Sequence, residues 1–244
     1  MPIRAYDMMY VVLAIIGFVA GTLSGSIGFG GGMILLPVIT YFYGVEVAVP
    51  VSTIAQLMSN LSRSIMGFNA INWKAVGWFL LPALPFTALG AFGFAVVDKQ
   101  LMTRLLCGFL IVFAVMKLLG KMHLPHSKGT MLVGGGCTGL INGLLGVSGP
   151  LSSAVFLALD LTPVSYIASE ATAAAAMHVV KAITYGKFDL MTWSVFLNGL
   201  FIGCAMVAGN FLAMRLIRVA NKKIYQYVVA GLMIAISLWL MFTV

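Results

Sequence analysis

The sequence predicts an all-α, polytopic integral membrane protein with about eight hydrophobic segments and an internal duplication. Its composition is the first reason: 61% of the 244 residues are hydrophobic and only 8% are charged. A soluble domain carries roughly 25% charged residues, because its surface faces water. At about 20 residues per membrane-spanning helix, the chain has room for roughly eight to ten crossings. We therefore expect one membrane domain over residues 1–244.

The hydrophobic segments follow one another with brief interruptions. In order they are Met8–Tyr43, Val47–Phe68, Ala75–Val97, Gln100–Leu119, Thr130–Leu159, Pro163–Tyr185, Leu190–Met214 and Ile224–Val244. Glycine clusters interrupt the first segment at Gly25–Gly32 and the fifth at Gly143–Pro150. The pattern divides the chain into a first repeat (1–119), a linker (120–128) and a second repeat (129–244).

The two halves match when the chain is shifted by 118 residues. The shift places Gly21, Gly25, Gly28 and Gly31 on Gly139, Gly143, Gly146 and Gly149, and Arg63 on Lys181. The order of hydrophobic segments is the same in both halves. Such a duplication is the mark of many secondary transporters.

The distribution of Lys and Arg favours inverted over parallel repeats. If Met8–Tyr43 crosses the membrane once, the repeats are parallel and the cations divide evenly between the two sides. If the glycine-broken segments are re-entrant hairpins, the repeats invert. Lys74, Lys117, Lys121, Lys128, Arg215, Arg218, Lys222 and Lys223 then share one side, against Arg4, Lys99, Arg104 and Lys187. The positive-inside rule then predicts a cytoplasmic linker and both termini outside, in the inner (plasma) membrane of the cell.

The glycine clusters are candidates for a ligand-lining break. Irregular backbone at membrane depth is tolerated only where protein buries it or where it lines a cavity. The half-helices that follow, Met33–Tyr43 and Leu151–Leu159, would present free N–H groups to an anion. This makes Gly30, Gly31, Gly32, Ser148 and Gly149 candidate binding residues. For the pairs Gly21/Gly25 and Gly139/Gly143 we expect tight helix packing instead.

Three charged residues lie well inside hydrophobic segments: Arg63, Glu170 and Lys181. Each costs about 2.5–3.5 kcal/mol at a helix centre, so each is a candidate functional residue. At helical spacing one polar face joins Ser52, Gln56, Ser59, Asn60 and Arg63, and another joins Glu170, Ala174, His178 and Lys181. The alternatives are snorkelling of the two cations to the membrane surface and a structural ion pair of Glu170 with Lys181 or His178. Glu170 and His178 are the candidates for proton coupling, although a lone histidine here is more often a satisfied buried residue.

Other site classes find little support. Cys107, Cys137 and Cys204 lack metal or disulfide spacing. His123 and His126 have no third ligand nearby, which favours a solvated loop over a metal site. No basic surface suited to nucleic acid and no catalytic constellation is present, so we expect no nucleic-acid partner, no metal, no cofactor and no enzymatic activity.

The motif GSIGFGGGMILLP at Gly25–Pro37 and its echo GLINGLLGVSGP at Gly139–Pro150 resemble those of the TauE/SafE family of sulfite and organosulfonate permeases. The resemblance covers essentially the whole chain. It implies a permease for sulfite, sulfoacetate or related small anions, often exported. The second motif has Val147-Ser148 where a richer glycine run is common in the family.

Together these features predict an anion site between the halves and transport by alternating access. Arg63 would bind the anion with its planar fork and Lys181 as a point charge. Backbone N–H groups of Gly30, Gly31, Gly32, Ser148 and Gly149 would complete the shell, with Gln56, Ser59, Asn60 and Ser152 as further polar contacts. An anion channel, a transporter of other small organic anions and a membrane scaffold remain alternatives. The lipid bilayer is the expected environment, and a homodimer is left open.

Overall fold

The computed structural model describes residues 3–118, 125, 127–147 and 149–216, and every regular element in these ranges is helical. The α-helices are α1 (Ile3–Ile27), α2 (Gly31–Tyr43), α3 (Val45–Met66), α4 (Trp73–Val96), α5 (Lys99–Leu118), α6 (Lys128–Leu145), α7 (Gly149–Leu157), α8 (Pro163–Lys187) and α9 (Trp193–Leu216). A single 3-10 turn, Phe68–Ala70, separates α3 from α4. The predicted segment Ile224–Val244 and most of the linker lie outside the described residues.

Several helices begin where a polar side chain caps them. The side chains of Asn72, Ser127 and Thr162 accept hydrogen bonds from the backbone N–H three residues ahead, at the starts of α4, α6 and α8. Such caps satisfy one of the free N–H groups of a first helical turn. The short α2 differs, because its N-cap residue Gly30 offers no side chain.

The distribution of polarity is that of a membrane-embedded protein. Among the described helices, α1, α4 and α9 each contain a stretch long and apolar enough to cross a bilayer, at Met8–Ser26, Trp73–Val96 and Trp193–Ala213. Large apolar side chains face outward, whereas Arg63, Glu170 and Lys181 are buried. This reversal of the soluble pattern is expected where the surrounding solvent is lipid.

Helices α1, α3 and α9 run in the same direction. Contacts advance together along α1 and α9, with Gly17 against Ile202, Gly21 against Met206 and Gly25 against Asn210. They also advance together along α3 and α9, with Ile54 against Gly199 and Met58 against Gly203.

Helices α4, α6 and α8 run together in the opposite direction. The contacts of α4 with α6 advance in step, with Phe79 against Gly135, Ala83 against Gly139 and Thr87 against Gly143. Those of α4 with α8 do the same, from Asn72 against Ser169 to Phe94 against Tyr185. Contacts between α3 and α8 run in opposite senses, with Ser64 against Thr172 and Gly67 against Ala168.

Each glycine break is followed by a short helix that turns back. Gly32, at the start of α2, lies against Gln56 of α3, and Gly44 alone joins the end of α2 to α3. Helix α2 is therefore antiparallel to α3 and to α1. In the second half, Val155 of α7 lies against Gly134 of α6, so α7 returns along α6.

Glycine permits the close approach of the helix pairs α1/α9 and α4/α6. A Cβ atom added at Gly21 would lie 2.1 Å from the carbonyl oxygen of Met206, and one at Gly139 would lie 2.2 Å from that of Ala83. Only residues without a side chain let backbones meet at this distance. The packing interpretation of these glycines is confirmed.

Candidate functional site

The two glycine breaks meet in the middle of the molecule. Gly28 and Gly30 have φ angles of 85° and 103°, and Gly146 has a φ of 76°, a region that side-chain-bearing residues rarely adopt. A Cβ atom at Gly149 would lie 3.3 Å from that of Phe29. The end of one hairpin therefore contacts the end of the other.

A cavity of about 20 Å³ lies at this meeting point. Its lining includes these sequence-predicted candidates: Gly30, Gly31, Gly32, Gln56, Ser59, Asn60, Arg63, Gly149, Glu170 and His178. It also includes residues that the sequence analysis did not single out as binding residues: Ser24, Gly28, Phe29, Met33, Val147, Ala174 and Met206. The structure thus gathers two glycine breaks and two polar helix faces around one small space.

Three candidates stand apart from this lining. Lys181 and Ser152 are buried but do not line the cavity, and Ser148 lies outside the described residues. The expectation that Arg63 and Lys181 face one shared space therefore differs from the structure, because Lys181 is one helical turn beyond His178 on α8 and its amine is directed to α6.

The N-terminus of α2 opens onto the cavity. The first N–H groups of α2 have no helical partner, and Gly30 provides no side chain to cap them. A Cβ atom at Gly30 would find no atom within 4 Å. The backbone here can approach a bound molecule directly, and the helix dipole favours an anion.

Arg63 is buried, with 6% of its surface exposed, and so does not snorkel. Its Nη1 donates to the carbonyl oxygens of Ser24, at 3.2 Å, and Gly28, at 2.7 Å. Its Nη2 donates to Asn60 Oδ1. The guanidinium therefore lies at the C-terminal end of α1, where a cation is favoured by the carbonyl groups.

Glu170 is the ion-pair partner of Arg63. Its Oε2 lies 3.5 Å from Arg63 Nη1, and its Oε1 accepts a 2.7 Å hydrogen bond from Ser152. Glu170 thus forms the structural ion pair considered above, but with Arg63 rather than with Lys181 or His178. The pair joins α3 of the first half to α8 of the second.

Lys181 is fully buried, so snorkelling is excluded for it too. Its Nζ donates to Asn142 Oδ1 at 3.4 Å and lies 5.9 Å from the centre of the Tyr185 ring. His178, one turn earlier on α8, lines the cavity, and its Nδ1 has no hydrogen-bond partner among the described residues.

Gln56 links the two breaks. Its Nε2 donates to the carbonyl oxygen of Gly146 at 3.4 Å, and its amide lies against Gly32. A side chain of the first half thus reaches the second hairpin at the point where α6 ends.

Asn210 of α9 is a polar residue that sequence reasoning missed. Its Nδ2 donates to Ser59 O, Ser59 Oγ and Ser62 Oγ, and its Oδ1 accepts from Ser24. It therefore holds α9 against α3 and α1, directly behind the cavity. Its 118-residue equivalent is Phe92, so the duplication offered no signal for it.

The described residues contain no group of three or more His, Cys, Asp or Glu side chains that could hold a metal ion. Their cysteines are free. The histidines His123 and His126 of the linker lie outside the described residues.

Comparison with known proteins identifies relatives of most of the chain. The profile of the family described as Sulfite exporter TauE/SafE matches residues 13–240. A probable membrane transporter protein of Methanocaldococcus jannaschii is 27% identical over 176 residues, which span 64% of each chain. One of Xylella fastidiosa (strain Temecula1) is 25% identical, over 92% of this chain and 90% of its own. No solved structure matches the chain significantly.

Proposed function

We propose a function on the premise that this chain belongs to the Sulfite exporter TauE/SafE family, whose profile covers residues 13–240. It is a membrane transporter, as the names of its relatives from Methanocaldococcus and Xylella also indicate. The finer proposal is that it carries small organosulfur anions, such as sulfite, sulfoacetate and related sulfonates, through the central cavity by alternating access.

The observation that carries this proposal is the meeting of the two glycine breaks at a buried, cation-containing cavity. Uncapped N–H groups at the start of α2 and the guanidinium of Arg63 reach the same space. Helix N-termini and Arg are the groups that proteins use to bind oxyanions without a metal. A sulfonate group offers three acceptor oxygens to such donors.

An inverted-repeat architecture is part of the proposal, and the helix directions support it. Under the duplication α1, α3 and α4 correspond to α6, α8 and α9. In the first half, α1 and α3 run in one direction and α4 runs in the other. In the second half every direction is reversed, since α6 and α8 run with α4 whereas α9 runs with α1. The packing partners exchange in the same way, since α1 packs on α9 and α4 packs on α6. Alternating access in such folds moves one repeat against the other around a central site.

The size of the cavity favours a carrier over an open channel. A cavity needs roughly 10–15 Å³ to hold a single water molecule, and this one has about 20 Å³. An open pore would leave a much larger continuous space, so we take the described arrangement to be a closed state. Gln56, which joins both breaks, is placed to move when the cavity opens.

The helix directions place the lysines at the helix ends on two opposite faces, which bears on the proposed orientation in the plasma membrane. Lys74 and Lys128 lie at the starts of α4 and α6, which run in the same direction and so share a face. Lys99 and Lys187, at the start of α5 and the end of α8, belong to the opposite face. With all loop Lys and Arg of the sequence assigned as in the sequence analysis, the face of Lys74 and Lys128 has eight cations against four. We therefore assign that face to the cytoplasm, and both termini to the outside.

Glu170 and His178 remain the candidates for proton coupling, because both line the cavity. The two differ in their surroundings. Glu170 is held by Arg63 and Ser152, whereas His178 Nδ1 is unpartnered among the described residues. We therefore assign His178 the larger part in any proton movement.

Counterflow into proteoliposomes tests the proposal. Vesicles loaded with unlabelled sulfoacetate should accumulate labelled sulfoacetate, with competition by sulfite and sulfonates but not by acetate. A carrier shows this trans-stimulation, whereas a channel conducts without it. Correctly inserted protein that transports none of these anions would contradict the assignment.

A cysteine at Ala174 tests whether the central cavity is the path. In a chain whose native cysteines are replaced, Ala174→Cys places a thiol in the lining, and Ala175→Cys places one on the same helix outside it. An anionic thiol reagent should abolish counterflow of the first variant only, and sulfoacetate should protect it. Equal inhibition of both variants would remove the cavity from the path.

A further inference from the structure

The buried charges of the described residues do not balance. Arg63 and Glu170 neutralise each other as an ion pair, but Lys181, which is fully buried, has no carboxylate of the described residues within 4 Å. The other carboxylates whose exposure is described, Glu46, Asp98, Asp160 and Asp189, are all exposed. The remaining one in the sequence, Asp7, lies near the start of α1. Among the described residues, Lys181 is therefore a buried basic side chain without a carboxylate partner.

The surroundings of Lys181 are short of acceptors. Its amine has three hydrogen-bond donors, and one long contact, to Asn142 Oδ1 at 3.4 Å, uses one of them. The Nδ2 of Asn142 and the hydroxyl of Thr138, one turn earlier on the same helix, are both buried and have no hydrogen-bond partner among the described residues. A buried donor left unpaired is costly, so the Lys181 amine, the Asn142 amide and the Thr138 hydroxyl one turn along α6 each call for an acceptor.

The duplication shows which group is missing. Arg63 and Lys181 are equivalent, as are Ser24 and Asn142, and each cation contacts its own partner of that pair. Glu170 neutralises Arg63, and its equivalent in the first half is Ser52. The Ser52 hydroxyl donates to Val49 O and brings no charge. The Lys181 side therefore lacks the carboxylate that the Arg63 side has.

We propose that Lys181, Asn142 and Thr138 form a second anion subsite, which takes a small monovalent anion in place of the missing carboxylate. The inference rests on the proposed transport function, because His178 lines the cavity and is one turn from Lys181 on α8. A substrate anion in the central cavity would thus lie next to the second subsite, where Lys181 supplies a positive charge that no described carboxylate neutralises. The single positive charge of Lys181 favours an anion with a single negative charge. The buried donors of Asn142 and Thr138 on α6 favour an anion that accepts hydrogen bonds and has no proton to donate.

Equilibrium binding of labelled methanesulfonate to the purified protein tests the subsite, with gluconate holding the ionic strength constant. Lys181→Met should remove one bound anion per chain or weaken its binding at least tenfold, and Thr138→Val should weaken it severalfold. Thr40→Val is the matched control. The Thr40 hydroxyl is also buried and has no hydrogen-bond partner in the described part of the chain, but it belongs to α2 at a position outside the cavity lining. It should bind as the wild type does.

Thermal unfolding without added anion separates a binding role from a structural one. Lys181→Met should unfold at the same or a higher temperature than the wild type, because it exchanges a buried unpaired charge for an apolar chain of similar shape. Ser52→Glu, which supplies the missing carboxylate, should lose the anion while remaining folded. A lower unfolding temperature for Lys181→Met, with unchanged binding, would overturn the subsite.

The counterflow assay in the same variants keeps the two proposals apart. If the wild type transports sulfoacetate but Lys181→Met binds as many anions as the wild type with the same affinity, the subsite is refuted and the transport function stands. Wild-type protein that binds methanesulfonate through Lys181 but transports no anion refutes the transport function and leaves the subsite. Binding of no anion by the wild type refutes the subsite whatever the transport result.

Discussion

Replacement of Arg63 by Met should destabilise the folded protein far more than removal of an ordinary cation. The change removes the 3.5 Å partner of Glu170 and leaves its buried carboxylate with Ser152 alone. It also leaves the carbonyl oxygens of Ser24 and Gly28 without their donor. Breaking a buried pair from one side costs about 3–5 kcal/mol. A membrane protein with ordinary marginal stability would lose much of its folded population.

Chemical unfolding in detergent, as a double-mutant cycle with Glu170→Gln, measures the pairwise part of that cost. The double variant should recover a coupling free energy of at least about 1.5 kcal/mol, because no charge is then left unpaired. Arg104→Met is the matched control, since Arg104 is an exposed cation of α5, and it should change stability by less than about 0.5 kcal/mol. Additive effects of the two single changes would refute the ion pair as a structural link between the halves.

Two further predictions concern the helix contacts that frame the cavity. Gly139→Ala should lower the free energy of unfolding by about 1–3 kcal/mol, because its Cβ would lie 2.2 Å from the carbonyl oxygen of Ala83, whereas ordinary contact begins at 3.4 Å. Gly77→Ala is the control: its Cβ would meet nothing within 4 Å, so it should be neutral or slightly stabilising. Thermal unfolding of both variants checks the difference. Asn210→Leu should cost about 2–3 kcal/mol in the same assay, because it leaves the buried acceptors of Ser59 on α3 without their donor. Asn198→Leu, at a partly buried position of the same helix, is the control. An effect of Asn210→Leu no larger than that of the control would show that α9 is held by apolar packing alone.

Much of the helix order could be predicted from the sequence, because lipid imposes strong constraints. The length of the apolar segments predicts the helices, and the glycine clusters predict the breaks. In the structure Gly28, Gly30 and Gly146 adopt positive φ angles at these breaks. The helical period also predicts that Gln56 and Arg63 share a face, and both line the cavity. These features are local or periodic, so one chain suffices to show them.

The partners across helices could not be predicted in the same way. Arg63 was equally able to face Glu170 or a bound anion, and only the packing of α3 on α8 decides that Glu170 lies 3.5 Å away. The helical period predicts that Lys181 shares a face of α8 with His178. Lys181 nevertheless lies one turn further along the helix, and there its amine contacts α6 instead of the cavity. The contacts of Asn210 join three helices, a relation that spacing along one helix does not encode.

The different fates of the two equivalent cations bear on how such a carrier could work. A site with two permanently neutralised cations would have no charge to offer an anion, and a site with two free ones would be costly to bury. Here Arg63 is held by Glu170 and by the end of α1, so it stabilises the contact between the halves. Lys181 has no such partner among the described residues. Divergence of one position, Glu170 in one half and Ser52 in the other, would therefore make one cation structural and leave its twin for the anion of the second subsite.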